Sequence, residues 1–572
     1  MNKKSFYFGT LVLTALALGS CANEDTATDK TAGKDTPKTG TVFSSETEPA
    51  TRTSAKYTGS GLDFYWTASD KIWVKDDNGT YRQNSDDDIA SRIAAVPGST
   101  TTDKAKFWVN GSYTGSSHKV RYTGKSGVKD KVTIKASQTQ STPNDAAHIA
   151  EDGDFGVADA TGSLGAYNFT LNHKAAYITF MPYTAQDAIS AAKLSKIRIY
   201  TDNTSDQLAG TFDLADNGSL SNGTSTSNSV EIDLTGYVWH GGFNIPNASN
   251  YNTNAAIMVI KPGTYNNVHI EYTVADPITN VEGTITKTYP SVTFTAGKNT
   301  PVKTNLQVKV YPGDGYYQWD AQQQYWAGFE WDNPNPAKRS QPTSNVSSVN
   351  DADAPQSTIN SSAHTPRDFN DVLGYSDPTG TAPAVEPNTT RFKNCPNVNE
   401  MMWYITKGDP HYDKDILWAM MGHLYQGGMW FKKKSKIPNF NSNQAPNKPI
   451  DFTRVDKLWD LDPFDYNVSA PVGRPTNLND YFFLPSFGKY SGLNEFPGSV
   501  RGQLLGAGFL GYYWTSTPAP AVYTSSSHLL YFAYYGGNSA GIALDYEGGV
   551  WTGRGRGIPT FSTSNEDAYH PF

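Results

Sequence analysis

Short alternations of apolar and polar residues dominate the first 310 positions, and no long helical period interrupts them. In the run 62–74, two strand-like pieces flank the turn signal Ala68-Ser69-Asp70. Further short strands are predicted at residues 105–109, 119–122 and 132–134, separated by Gly, Asn and Ser. From His173 the pattern resumes: Ala176, Ile178 and Phe180 fall on one face of a strand. Strands are then expected at 196–200, 210–214, 229–234, 256–260, 268–274, 283–288, 291–294 and 305–310. Short strands at this spacing argue for antiparallel β-sandwiches.

After Tyr311 the character changes. Nine of the 13 tryptophans lie beyond it, and residues 333–391 are rich in Asn, Pro, Ser, Thr and Asp. Asn397 and Glu400 have the spacing of a capping box, and Val398, Met401 and Ile405 would share one face of the helix that follows. A second helix is expected at 415–425, with Leu417, Met420 and Leu424 on one side. Upstream of Ser54, residues 22–50 carry almost nothing apolar and are predicted to be a flexible tether.

Composition narrows the function classes. The 572 residues carry 18% charged side chains, 50 glycines and 34 tyrosines, which suits loop-rich extracellular β proteins better than helical enzymes. With 47 basic and 55 acidic residues the net charge is -8, which leaves no footprint for nucleic acid. Only Cys21 and Cys395 are present, so the folded parts have no disulfide framework.

Cys21 sits in a targeting pattern. Lys3-Lys4 precede an apolar run at 6–18 that is too short to span a bilayer, and Leu18-Gly19-Ser20-Cys21 follows. This spacing looks like a lipobox, in which Cys21 is acylated on its thiol and becomes the new N-terminus; an ordinary secretory signal with an incidental cysteine is the alternative. Glu24 and Asp25, close behind, resemble the surface-export signal of Bacteroidetes lipoproteins.

Several motifs carry a resemblance to the fimbrillin family, the subunits and relatives of Bacteroidales pili. They are Arg52-Thr53, Phe64-x-Trp66-x-x-x-Asp70-x-Ile72-x-Val74, His173-x-x-Ala176-x-Ile178-x-Phe180, and Phe294-x-Ala296-Gly297-Lys298 with Asn305-Leu306. Near the end, Leu484-Pro485-Ser486-Phe487-Gly488 and Gly511-Tyr512-Tyr513-Trp514-Thr515-Ser516-Thr517, together with 394–400, resemble C-type-lectin-like domains. These resemblances imply a mainly β chain: signal peptide 1–20, tether 21–50, fimbrillin-like β-sandwiches at 51–165 and 166–312, and a lectin-like α+β adhesin domain at 313–572.

The fimbrillin resemblance also implies an assembly route. A protease cuts after Arg52, leaving Thr53 first and removing the first strand, and another subunit's extended segment then fills the groove by main-chain pairing. A solvated tether arginine is the plain alternative. Because residues 311–572 follow the last sandwich strand, this chain would accept a strand without giving one, as a pilus tip does. The implied partners are other fimbrillin subunits, a surface glycan or protein, and the outer membrane through the lipid on the precursor.

For the ligand, aromatic platforms are the candidates: Trp514, Tyr512, Tyr513, Tyr534, Tyr535 and Trp551, since sugar rings stack on flat aromatic faces. In a disulfide-free lectin-like fold Trp514 reads as core ahead of platform, and Tyr534-Tyr535 is the more loop-like pair. Trp331-Asp332-Asn333 and Glu386-Pro387-Asn388 look like lectin calcium tripeptides, but their order is reversed and they lie upstream of the helices, so no metal or other cofactor is expected; Asp460, Asp462 and Asp465 read as solvated turns. Enzyme chemistry is not expected either. Cys395 with His411 and His423 is the one nucleophile sketch available, against a buried structural thiol.

Overall fold

Asp70 shows how the alternating pattern becomes a fold. Its carboxylate accepts the Thr67 backbone N–H (2.7 Å) and hydroxyl (2.9 Å), which closes the turn between strands Leu62–Thr67 and Trp73–Lys75. The computed structural model describes residues 38–45, 54–163, 165–356, 364–369, 387–454, 466–492, 500–519, 527–546 and 553–572, with 457, 461 and 462. Gly40–Phe572 is one compact unit, and it is mainly β.

The N-terminal strands close on themselves. They are Thr41–Ser45 (β1), Trp73–Lys75 (β2), Tyr81–Asp87 (β3), Ala105–Val109 (β4), Ser117–Tyr122 (β5), Gly156–Ser163 (β6) and Ala166–Asn168 (β7). They pair in the ring order β1–β4–β3–β2–β5–β6–β7 and back to β1, a barrel around Phe43, Trp66, Phe107, Tyr122 and Tyr167. β1 corrects the tether prediction: composition alone cannot see that Phe43, in an otherwise polar stretch, is fully buried.

A sandwich follows. Its strands are Ala176–Tyr183 (β8), Lys193–Thr201 (β9), Ser229–Asp233 (β10), Ala256–Ile260 (β11), Gly263–Asp276 (β12), Val281–Phe294 (β13) and Asn299–Asn305 (β14). One sheet runs β11–β8–β14, and the other runs Ser137–Thr139, β10, β9, β12, β13; one apolar core joins them. β13 spans the predicted strands 283–288 and 291–294 without a break, because at a sheet edge Pro290 leaves no neighbouring strand without a donor. The predicted strand 305–310 is instead the junction between β14 and Lys309–Tyr311 (β15).

At the start of the sandwich His173 stacks on Phe64 (3.9 Å), and its Nδ1 lies 2.9 Å from Asp154, which also accepts the Tyr177 hydroxyl; all three polar groups are buried. Barrel and sandwich also meet through Asp216, which accepts from Lys75 (2.9 Å), the Tyr81 hydroxyl (2.8 Å) and Arg121 (2.5 Å).

The C-terminal part has two four-stranded sheets. β15 runs parallel to His411–Met420 (β16), which pairs with His423–Lys432 (β17). Val468–Pro471 (β18) belongs to the second sheet, and Tyr481–Pro485 (β19) completes the first beside β17. The second sheet continues with Leu510–Pro518 (β20), Ser527–Ala533 (β21) and Ser539–Tyr546 (β22), in the order β18–β22–β21–β20. Helix Val398–Lys407 (α1) starts at the predicted capping box, with the Asn397 and Glu400 side chains capping reciprocally.

The predicted helix 415–425 is instead the β16–β17 hairpin. Met421 (φ 50°) and Gly422 (φ 78°) form the two-residue left-handed turn that matches strand twist. Leu417, Ala419 and Leu424 enter the sandwich core, while Trp418, Met420 and Tyr425 enter the C-terminal core. With both faces buried, the strands lose the polar alternation that would have identified them. Asp276 ties the turn to the sandwich, accepting from the Leu424 N–H (3.0 Å) and lying 3.2 Å from His423 Nδ1.

Two groups predict how stability depends on pH. Burial pushes the His528 imidazole down to about 4, so the unfolded chain takes up that proton first and stability falls between about pH 6.5 and 4. Burial alone would raise the Asp216 carboxyl, but hydrogen bonds from Lys75, Tyr81 and Arg121 outweigh it and hold it at about 2, so its contribution is lost as pH falls from about 3.8 to 2. Urea unfolding across these ranges should show both losses, with His528→Leu flattening the upper range and Asp216→Asn the lower.

Candidate functional site

Two places have geometry suited to recognition: the seat of β1 and an aromatic patch at one end of the second C-terminal sheet. β1 pairs antiparallel with β4 over five residues and parallel with β7 over three. Its Phe43 ring stacks on Tyr167 (5.1 Å, 14° between planes) and meets Tyr113 edge-on at 5.1 Å. Withdrawing β1 would bare two strand edges and an aromatic socket, which is the chemistry of strand addition. The predicted cleavage pair Arg52 and Thr53, and the acylation site Cys21, lie outside the described residues.

The patch follows from register. Tyr512 and Trp514 on β20 stand opposite Tyr531 and Leu529 on β21, so these four share one face. Trp514 is fully buried among Tyr317, Trp319, Phe392 and Cys395, and its Nε1 donates to the Tyr317 carbonyl at 2.8 Å. That corrects its candidacy as a platform: an enclosed ring offers no face to a sugar. Tyr513 is likewise enclosed, and Tyr512 is 8% exposed, with Lys489 Nζ 4.4 Å from its ring centre. Trp551 lies outside the described residues.

Tyr534 and Tyr535 stand at the turn between β21 and β22, where Gly536 (φ 102°) and Gly537 (φ 88°) take conformations that side-chain-bearing residues rarely adopt. Tyr534 stacks on Tyr412 at 4.8 Å. Tyr535 is 76% exposed, with its hydroxyl 3.2 Å from that of Tyr531 and its ring 6.1 Å from Phe509, itself 38% exposed. Burial, then the bond to Tyr535, raises the Tyr531 phenol above its ordinary range, so it stays a neutral hydrogen-bonding group. Phe509 and Tyr531 were missed from sequence, although counting back in twos from Tyr535 reaches Tyr531.

Cys395 is buried, and its thiol is pushed up to about 12 by that burial, which removes the thiolate a nucleophile needs. His411 and His423 sit at opposite ends of the β16–β17 hairpin. Asn333, from one tripeptide, donates to Glu330 and the Gly328 carbonyl as a loop brace; Glu386, Asp460 and Asp465 lie outside the described residues. Among the described residues no group of His, Cys, Asp or Glu is placed to hold a metal ion, and no helix is long and apolar enough to cross a membrane.

No protein-family model matches the chain, and no curated protein matches its sequence. Solved structures from Bacteroides are similar to it. One from Bacteroides ovatus, provisionally described as a cell adhesion protein, is 18% identical over 42% of this chain and 82% of its own (TM-score 0.26). Another so described, from Bacteroides fragilis, is 10% identical over 48% and 95% (TM-score 0.27). A fimbrial protein from Bacteroides ovatus is 12% identical over 84% and 94% (TM-score 0.19). At these scores the likenesses supply no argument about residues or ligands.

Burial separates the aromatic candidates experimentally. Trp514→Ala should cost about 3–5 kcal/mol of unfolding free energy, whereas Tyr535→Ala should stay within about 0.5 kcal/mol. Urea denaturation of both variants checks this.

Proposed function

We propose that the protein is a cell-surface adhesin of a fimbrial system, made as a lipoprotein through Cys21 and carrying no enzymatic activity. In this reading cleavage after Arg52 frees β1, another subunit's extended segment takes its seat between β4 and β7, and the C-terminal part, read as lectin-like, presents the binding surface. The observation that carries the reading is β1: a five-residue strand, completing an otherwise continuous barrel wall, and placed just upstream of Arg52.

Placement at a tip draws support from the segment after β14. Leu306 N–H donates to Tyr183, Val308 exchanges two hydrogen bonds with Gln186, and β15 pairs with β16. Those backbone groups are committed within the chain and are not free to pair with another subunit. The ligand surface is assigned to Tyr535 with Phe509, Tyr531 and Tyr534; exposed neutral rings beside hydroxyls suit a surface glycan or an apolar protein epitope. The closed barrel, with β1 in place, favours a second reading: a permanently lipid-anchored glycan binder that never polymerises.

N-terminal sequencing of protein recovered from the outer surface of its native cells separates the two. A start at Thr53, lost in Arg52→Ala along with incorporation into fimbriae, is the expected result. An acylated Cys21 as the sole surface form would sink the assembly reading. Attachment of cells displaying Tyr535→Ala should fall several-fold with surface amount unchanged.

A further inference from the structure

Between the sandwich and the C-terminal sheets lies a cleft of about 580 Å³. Tyr311, Met420 and Met421 form its buried floor, and half-buried Trp331 stands over the β16–β17 turn. Gly313 leaves room for the Met421 side chain, and Gly422 lies in ordinary contact range of the ring. A Cβ on Gly313 would fall 2.4 Å from Met421 Cγ, and one on Gly422 would come 3.6 Å from the indole. Val310, 53% exposed, and exposed Pro312 add apolar surface to the same lining.

The charged part of the lining is acidic throughout. Asp187, Asp314, Glu330 and Asp332 line the opening, and no Lys, Arg or His is among the residues lining it. Glu330 is braced by the Gly328 N–H (2.9 Å), Asn333 (3.0 Å) and Gln324 (3.2 Å), whereas the three aspartates are exposed. Because these carboxylates form no cluster that could hold a metal ion, the negative charge is spread around an apolar slot instead of focused on a point. An elongated ligand, apolar along its length and positive at one end, complements that arrangement.

We propose that this cleft receives an arginine or lysine side chain from an extended segment of a partner protein. The aliphatic stem lies along Val310 and Trp331, the indole face attracts the cation, and the rim carboxylates neutralise it. Exposed Val310 and Pro312 give the residues flanking the basic one apolar surface on which to pack, which a small free amine would leave bare. Trp331-Asp332 thus acquires a role unconnected with calcium, and the site is independent of both the β1 seat and the Tyr535 patch.

The test uses the full chain and fluorescently labelled pentapeptides Gly-Leu-Xaa-Leu-Gly, with Xaa as Arg, Lys, citrulline or Glu, read by polarisation. Saturable binding of the Arg and Lys peptides is expected, with the citrulline and Glu peptides at least tenfold weaker. Trp331→Ala and the triple variant Asp187→Asn, Asp314→Asn, Asp332→Asn should each weaken the Arg peptide about tenfold, and added salt should weaken it further. The three aspartates are exposed, so the triple variant should unfold in urea like the parent, which separates lost binding from lost folding. Absence of binding by the Arg and Lys peptides, or equal binding by the citrulline peptide or by either variant, would overturn the proposal. Competition by arginine amide at the same concentration as the unlabelled Arg peptide would overturn the assignment to a peptide segment.

Discussion

The β16–β17 hairpin is the shared wall on which the architecture depends. One face belongs to the sandwich core through Leu417, Ala419 and Leu424, and the other to the C-terminal core through Trp418, Met420 and Tyr425. A strand pair buried on both sides cannot shift register by one residue without exchanging the two sets. Asp276 fixes the turn end from the sandwich side, and Thr279 donates to the Leu424 carbonyl at 2.8 Å beside it. The cleft under Trp331 and the adjoining strand β15 owe their positions to that wall.

The same constraint explains what could be read from sequence. Strands with one wet face were legible: residues 105–109 alternate as buried and half-buried, and the strand lies where predicted. The capping box at Asn397 and Glu400 was legible because it is a local hydrogen-bond exchange. The hairpin at 411–432 was not, since burial on both sides replaces alternation with a nearly continuous apolar run that also satisfies a helical count. Its two-residue turn, with Met421 ahead of Gly422, was the signal that could have decided the matter.

β1 was missed for a different reason. In Thr41-Val42-Phe43-Ser44-Ser45 one fully buried aromatic supplies most of the apolar anchoring, and the rest is main-chain pairing to two neighbours that any sequence can make. For the aromatic site, sequence located the cluster but not which rings face out. Trp514 within the sheet and Tyr535 at its turn both carry aromatic rings, and only the packing of Tyr317 and Trp319 around Trp514 distinguishes the enclosed ring from the open one.

β15 has a mechanical consequence. It is the covalent link between sandwich and C-terminal sheets, and it lies parallel along β16 instead of crossing open solvent. A pull on the C-terminal part, transmitted along the chain, would load the β15–β16 hydrogen bonds side by side in shear, while the interdigitated faces of the hairpin resist separation. The junction is therefore built to share tension among many weak contacts at once.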